Sequence, residues 1–112
     1  MPPRRLGADA EDRAADYLLS LGYTLLKRRY KARRGEIDVV ALDGDTIVFV
    51  EVKHRTTGLV EPEATITATK RTRLAAAARQ YLEEEATPDF YARHDLVAID
   101  NEGLRHYQNV FQ

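Results

Sequence analysis

The chain has 112 residues, of which 44% are hydrophobic and 31% charged, and its 17 basic and 18 acidic residues give a net charge of −1. This length fits one domain with one modest core, and the near-neutral balance gives no general indication of a nucleic-acid partner. Because the chain has no cysteine, disulfides and thiolate metal sites are excluded. No apolar run is long enough to span a bilayer or to form a signal peptide, so we expect a cytoplasmic protein that does not bind membranes.

An amphipathic helix is predicted from about Ala8 to Leu21, with Gly22 ending it. Its apolar stripe at helical spacing consists of Ala10, Ala14, Leu18 and Leu21. Glu11 lies on this stripe rather than on the polar side of the helix. Two interpretations of Glu11 stay open: its carboxylate points inward, or it is a rim group in the first helical turn, where the helix dipole favours negative charge.

A strongly basic segment follows, overlapping a first strand that is predicted from Tyr23 to Tyr30. Residues 27–34, KRRYKARR, contain six basic residues and no acidic one. The basic residues are Lys27, Arg28, Arg29, Lys31, Arg33 and Arg34. Such runs are usually solvated surface, but this one leads directly into an acidic hairpin, which favours contact with phosphate groups.

Residues 35–55, GEIDVVALDGDTIVFVEVKHR, are predicted to form two antiparallel strands around a tight turn. Asp43 and Gly44 favour that turn because both residue types tolerate positive φ. A two-residue loop at these positions places Leu42 opposite Asp45 and thereby fixes the register of the whole hairpin. Gly35, at the start of the hairpin, either serves the preceding turn or allows the backbone to approach a ligand closely.

The predicted register brings charged side chains together toward the open end of the hairpin. Asp38 lies opposite Phe49, while Glu51 and Lys53 share its face, so that two carboxylates and an amine converge. They form either a solvated face with a weak ion pair or a functional site. Apolar residues near the turn occupy both faces, so we expect the sheet to be covered on both sides, where charge is costly unless it is paired or bound to a metal.

A long helix is predicted to begin after Thr67 or Thr69, either of which could cap it, and to end at Glu85. Its buried side consists of Leu74, Ala77, Ala78, Tyr81 and Leu82. Lys70 lies one turn before this stripe. It either reaches the acidic site or extends along the surface with its ammonium group in water.

Two further strands are predicted, from Asp95 to Asp100 and from about Leu104 to Phe111. The element order α-β-β-β-α-β-β predicts that residues 1–112 form a single α/β domain of mixed α+β character, with a mixed central sheet flanked by helices. The histidines have no ligand spacing and are interpreted as surface or rim residues. They are His54, His94 and His106.

The ordered set of charged motifs resembles the PD-(D/E)XK nuclease superfamily. Asp38 matches the aspartate of its motif, and Glu51-Val52-Lys53 matches the (D/E)-x-K. Glu11 matches the helical acid that many members add. The catalytic residues that this resemblance implies are Glu11, Asp38, Glu51 and Lys53.

More narrowly, the chain is similar to the YraN-like family over nearly its whole length. The matching segments are GADAEDRAADYL, GEIDVVA, VFVEVKHR, Glu63-Ala64 followed by Lys70, and RHDLVAI. The chain departs from the family pattern at Ala10, where a second glycine is usual, and at Arg29, where asparagine is usual. The loop after Arg55 is also short.

The resemblance implies a restriction-endonuclease-like fold that holds Mg²⁺ or Mn²⁺. The implied ligands of the metal are the carboxylates of Asp38, Glu51 and Glu11 and the carbonyl of Val52. Lys53 would orient or help to deprotonate the attacking water, or stabilise charge on the phosphate. The residues expected to hold the nucleic-acid backbone are Lys31, Arg33, Arg34, Arg55 and Lys70.

The function that the resemblance implies is a metal-dependent endonuclease that hydrolyses phosphodiester bonds of nucleic acid. DNA is favoured over RNA, and branched or repair intermediates such as Holliday junctions are the expected substrates. A homodimer is also expected, because two symmetric sites help to cut two strands. Two alternatives stay open: a non-catalytic nucleic-acid-binding module on the same fold, and a small structural protein with a charged rim.

Overall fold

The computed structural model describes residues 6–54, 66–85 and 90–111, and within them two helices flank a five-stranded sheet. The helices are α1 (Leu6–Ser20) and α2 (Ala68–Glu85). The strands are β1 (Thr24–Lys31), β2 (Glu36–Asp43), β3 (Thr46–His54), β4 (Tyr91–Asp100) and β5 (Gly103–Tyr107). This element order and the mixed α+β class confirm the sequence prediction.

The five strands lie side by side in the order in which they occur along the chain. Neighbouring strands are antiparallel, except that β3 and β4 run parallel. Parallel neighbours need a crossover connection, and α2 lies in the connection between these two strands. Strand β3 is therefore the central strand of the sheet, and the Glu51-Val52-Lys53 motif lies on it.

The hairpin turn between β2 and β3 lies one residue further along the chain than predicted. Asp43 pairs with Thr46, so the two-residue loop consists of Gly44 and Asp45. Gly44 has a φ of +62°, and the first loop position is where a type II′ turn requires glycine. The predicted loop was wrong because Asp43 continues the strand instead of entering the turn.

The shifted turn changes the register of the hairpin. Phe49 pairs with Val40 rather than with Asp38. The last pair between the two strands, moving away from the turn, is Val39 with Val50. Asp38 and Glu51 are therefore the first residues after this pair, on adjacent strands.

Each face of the sheet is covered by one helix, as the apolar residues on both faces of the hairpin predicted. On one face, α1 packs against β1, β2 and β3, and the apolar cluster there includes Ala10, Ala14, Leu18, Val39, Val48, Val50 and Val97. On the other face, α2 packs through Leu74, Ala77, Ala78, Tyr81, Ile37, Val40, Ile47 and Phe49. Burying each large apolar side chain stabilises the fold by about 1.5–3 kcal/mol.

The end of α1 is a Schellman motif centred on Gly22, whose φ is +88°. The N–H of Tyr23 donates to the carbonyl of Leu18 at 3.2 Å, and the N–H of Gly22 donates to the carbonyl of Leu19 at 2.9 Å. Leu21 was predicted to lie on the buried stripe. It is exposed instead, because the chain leaves the helix at this motif.

The start of α2 is capped by Thr67, whose Oγ1 accepts a hydrogen bond from the N–H of Lys70 at 3.1 Å. Thr67 is therefore the cap, and Thr69 lies inside the helix. This cap places Lys70 in the first turn of α2. Neither of the two described helices combines the length and the apolar character needed to cross a membrane.

Candidate functional site

The site lies where strands β2 and β3 stop pairing. Just beyond the Val39–Val50 pair, the backbone N–H of Val52 donates to Asp38 Oδ2 at 2.7 Å. A side-chain carboxylate thus takes the place of a β2 carbonyl as the acceptor for this strand. The hydrogen bond fixes Asp38 against β3 and directs its carboxylate toward Glu51.

The backbone next to Asp38 is also irregular on the β1 side. Arg29 lies between the Arg28–Val39 and Tyr30–Ile37 pairs and has a φ of 53°. This left-handed conformation costs a non-glycine residue about 1–2 kcal/mol. The Arg29 guanidinium reaches α1, where its Nε and Nη2 donate to the two carboxylate oxygens of Glu11 at 3.2 and 3.1 Å.

Glu51 is a buried carboxylate on the central strand, and only 8% of it is exposed. Its Oε1 lies 2.9 Å from Lys70 Nζ, so that the first turn of α2 supplies its positive partner. Of the two interpretations of Lys70, the structure therefore supports the one in which the side chain reaches the acidic site. Both groups line an open cavity of about 460 Å³ between the sheet and α2. The charged residues that line this cavity are Glu36, Asp38, Glu51, Lys70 and Arg73.

Burial and neighbouring charge change the proton affinity of these groups. Burial and the negative charge of Glu51 raise the pKa of Asp38 to about 7, although the Val52 N–H opposes this shift. Glu11 adds a smaller upward effect on the same pKa. Burial alone would lower the pKa of Lys70, but the ion pair with Glu51 outweighs it and raises that pKa. Glu51 is therefore paired with Lys70, whereas Asp38 is the carboxylate that readily accepts a positive charge.

The donor set at this site fits a hard divalent cation. Within the described parts of the chain, no three or more His, Cys, Asp or Glu side chains cluster as metal ligands. Mg²⁺ keeps several waters and is commonly held by one or two carboxylates together with substrate phosphates. Asp38 and Glu51 can supply these carboxylates, with water and phosphate oxygens completing the shell.

The other residues predicted for catalysis lie around this pair. Glu11 is close enough to raise the pKa of Asp38, but Arg29 holds its carboxylate. The side chain of Val52 packs against the core beneath α1. Lys53 is half-buried on β3 and lies near Lys70.

The other basic residues that were predicted to bind nucleic acid lie in different parts of the molecule. Lys31 and Arg33 are exposed near the β1–β2 turn, and the N–H of Arg33 donates to Gln80 Oε1 of α2 at 3.0 Å. Arg34 lines a second cavity, which has a volume of about 450 Å³. Arg55 and the Glu63-Ala64 pair lie outside the described residues.

Arg73 is a cavity residue that the sequence analysis missed. It lies on α2 one turn after Lys70 and lines both cavities. The signal was present, because residues three apart on a helix share a face. Its backbone approaches Gly35 so closely that a Cβ on Gly35 would lie 2.7 Å from the Arg73 carbonyl oxygen. Gly35 thus permits a close approach to α2, which neither earlier interpretation of this glycine included.

A second buried polar cluster, also missed, lies on the α1 side of the sheet. Asp95 on β4 is 1% exposed and accepts hydrogen bonds from Arg93 Nε at 3.0 Å and from the Asn109 N–H at 3.0 Å. His106 Nε2 lies 2.8 Å from the same carboxylate, and its Nδ1 lies 3.0 Å from the Tyr17 hydroxyl. The prediction that His106 is a surface or rim residue was wrong, because its partners come from distant elements that no local pattern reveals.

The fold and the site together define a small mixed α+β protein with a carboxylate pair on its central hairpin. Residues 10–99 match the family described as "Uncharacterised protein family UPF0102", and the chain belongs to this family. This membership confirms the narrower of the two resemblances, to the YraN-like proteins.

Three relatives indicate how far the similarity extends. A UPF0102 protein of Geobacter sulfurreducens is 40% identical over 113 residues, which cover 96% of this chain and 88% of the relative. A UPF0102 protein of Chlorobaculum parvum is 38% identical over 112 residues, covering 95% and 87%. A third, of Chromohalobacter salexigens, is 45% identical over 97 residues, covering 86% and 78%.

Proposed function

We propose that this protein is a metal-dependent endonuclease of the PD-(D/E)XK superfamily, with a restriction-endonuclease-like fold and DNA as its substrate. The observation that carries the proposal is the meeting of Asp38, Glu51 and Lys70 in one open cavity, at the point where the central hairpin stops pairing. A carboxylate pair that is buried yet reachable by solvent suits a divalent cation bound together with a phosphate.

Each residue of the candidate site has a distinct role in the proposed reaction. A bound divalent cation would polarise the phosphate and lower the pKa of a water molecule. Asp38 and Glu51 provide oxygen ligands whose positions are fixed by the Val52 N–H and by the central strand. Lys70 brings positive charge to the place where charge develops on the phosphate, and Lys53 supplies a second amine nearby to orient water.

A non-catalytic nucleic-acid-binding module is the second candidate, and two ion pairs favour it. Lys70 neutralises Glu51 at 2.9 Å, and Arg29 neutralises Glu11 at 3.1 Å. Two of the three acids implied as metal ligands therefore already have a cationic partner from the chain itself. Such a module would bind nucleic acid without any cation.

A cleavage assay separates these two candidates. Labelled single-stranded, duplex, flap and four-way-junction DNA would be incubated with the protein and Mg²⁺, Mn²⁺ or EDTA. We expect metal-dependent cleavage that falls about 100-fold or more in Asp38→Asn and in Glu51→Gln, because each removes a charged ligand from the reacting centre. Calorimetric titration with Mn²⁺ would measure the same loss as weaker binding of the metal.

The matched control is Asp45→Asn, which removes an exposed carboxylate at the other end of the same hairpin. It should cleave DNA and bind Mn²⁺ like the unchanged protein. Cleavage that persists in Glu51→Gln would contradict the proposed site. A protein that binds these DNAs equally well in EDTA and cuts none of them would be the binding module.

A further inference from the structure

We propose that the second cavity, lined by Arg34, Thr69, Thr72, Arg73 and Ala76, is a subsite for the phosphodiester backbone of the nucleic-acid strand, next to the carboxylate pair. This inference rests on the proposed function, and it names the part of the surface along which the strand leaves the reacting centre. The two arginines are its binding groups.

The charge of this cavity differs from that of the carboxylate site. Arg34 and Arg73 are the charged groups among its described lining residues, and no acid joins them. Both arginines are exposed, and neither forms an ion pair with any carboxylate of the described residues. Two uncompensated guanidinium groups that face one cavity form a site for an anion, and guanidinium geometry matches phosphate oxygens.

The two cavities are adjacent. Thr69 and Arg73 line both of them, so both open along the same first turns of α2. The close approach of Gly35 to the Arg73 backbone locks the β1–β2 turn, and with it Arg34, against the helix. Packing therefore fixes the backbone positions from which Arg34 and Arg73 extend beside the carboxylates.

This arrangement of charge fits a polyanion whose phosphates repeat along a chain. One phosphate beside Asp38 and Glu51 needs a bound cation, because the carboxylates themselves are negative. The next phosphate along the strand needs only positive side chains, which Arg34 and Arg73 provide. Contacts of this kind position the strand and carry no sequence information.

The test measures binding rather than cleavage. The affinity for labelled single-stranded and duplex DNA would be determined by fluorescence anisotropy over a range of salt concentrations, in EDTA and in Ca²⁺. We expect Arg34→Ala and Arg73→Ala each to reduce the slope of log affinity against log salt by about 0.9 on duplex and about 0.7 on single strands, the values for one lost phosphate contact. Arg73→Lys should keep the slope, because it keeps the charge.

The matched control is Arg79→Ala, an exposed arginine of α2 that lines neither cavity. It should leave the slope unchanged, and circular dichroism of all variants would verify the fold. Slopes that fall equally in all three alanine variants, or in none, would overturn the subsite while leaving the nuclease proposal intact. An unchanged protein that binds no DNA under any of these conditions would overturn both.

Discussion

At the scale of single residues, burial and three hydrogen-bond donors act in opposite directions on the pKa of Asp95. Burial alone would raise its pKa, but hydrogen bonds from His106, Arg93 and the Asn109 N–H outweigh burial and lower the pKa. A carboxyl whose pKa is lower in the folded state stabilises the fold fully above its unfolded-state pKa of about 3.9. That stabilisation is lost as the pH falls through the lower folded-state pKa.

We therefore expect Asp95→Asn to lower the free energy of unfolding at pH 7 by about 3 kcal/mol, because Arg93 loses its buried partner. Urea denaturation of both proteins at several pH values between 7 and 3 would measure this difference. The difference should begin to shrink below about pH 3.9, because the unfolded form of the unchanged protein then takes up a proton on Asp95 before the folded form does. The control is Asp45→Asn, at an exposed position. If the free energies of unfolding of Asp95→Asn and the unchanged protein differed by a constant amount over the whole pH range, the prediction would be contradicted.

Some site residues could be predicted from the sequence, and others could not. Asp38 and Glu51 were recognised because they belong to an ordered motif on a predictable hairpin, and Lys70 because it follows helical spacing. The structure brings all three to one cavity. His106 was missed because its partners come from α1 and β4, and only the folded sheet places them together.

At the scale of elements, the contact between Gly35 and α2 decides where the helix lies over the site. The structure leaves no room for a side chain there, because a Cβ would meet a backbone oxygen that cannot turn aside. Any residue larger than glycine must therefore move α2 or the β1–β2 turn. Lys70 and Arg73, which lie on this helix, would move with it.

We expect Gly35→Ala to lower the free energy of unfolding by about 1–3 kcal/mol, the usual cost of overpacking a filled space. Gly44 is the matched comparison, because nothing lies within 4 Å of its absent side chain and its φ is positive. Asparagine tolerates positive φ, so Gly44→Asn should be milder than Gly44→Ala in urea denaturation. Gly35→Asn should be at least as harmful as Gly35→Ala, and equal tolerance at both positions would refute the packing argument.

The element order was predictable, whereas the register of the hairpin was not. Hydrophobic spacing placed the start of α2 at Thr67 or Thr69, between which the structure selects Thr67, and Gly22 ended α1 as expected. Two adjacent pairs, Asp43-Gly44 and Gly44-Asp45, both suit a two-residue loop by composition. The choice between them depends on the backbone conformation at Gly44, which is a property of the folded strand pair.

At the scale of the whole molecule, the described sheet runs from a buried centre to two edge strands. Strand β3 lies between β2 and β4, with α1 on one face and α2 on the other. The outer strands β1 and β5 each have one neighbour. The net charge of −1 conceals an uneven distribution of charge, because Asp38 and Glu51 lie together on β2 and β3 while Arg34 and Arg73 line the neighbouring cavity.

Native-state hydrogen exchange would test this centre-to-edge order. We expect the amides of β3 to exchange only through global unfolding, with an opening free energy equal to that of the whole domain. The amides of β1 and β5 should open locally at lower free energy. Equal protection in β1 and β3 would show that the sheet opens only as one unit.

The parallel pairing of β3 with β4 also has a consequence for the order in which the protein folds. That pairing joins residues as far apart as Thr46 and Tyr91, whereas β1, β2 and β3 are joined by short turns, so loop entropy delays it. Because synthesis exposes the N-terminal elements first, we expect Asp38 and Glu51 to meet before Lys70 leaves the ribosome. The nascent hairpin thus carries an uncompensated acidic pair and an open strand edge, and closure of the ion pair between Lys70 and Glu51 marks the joining of the two halves of the chain.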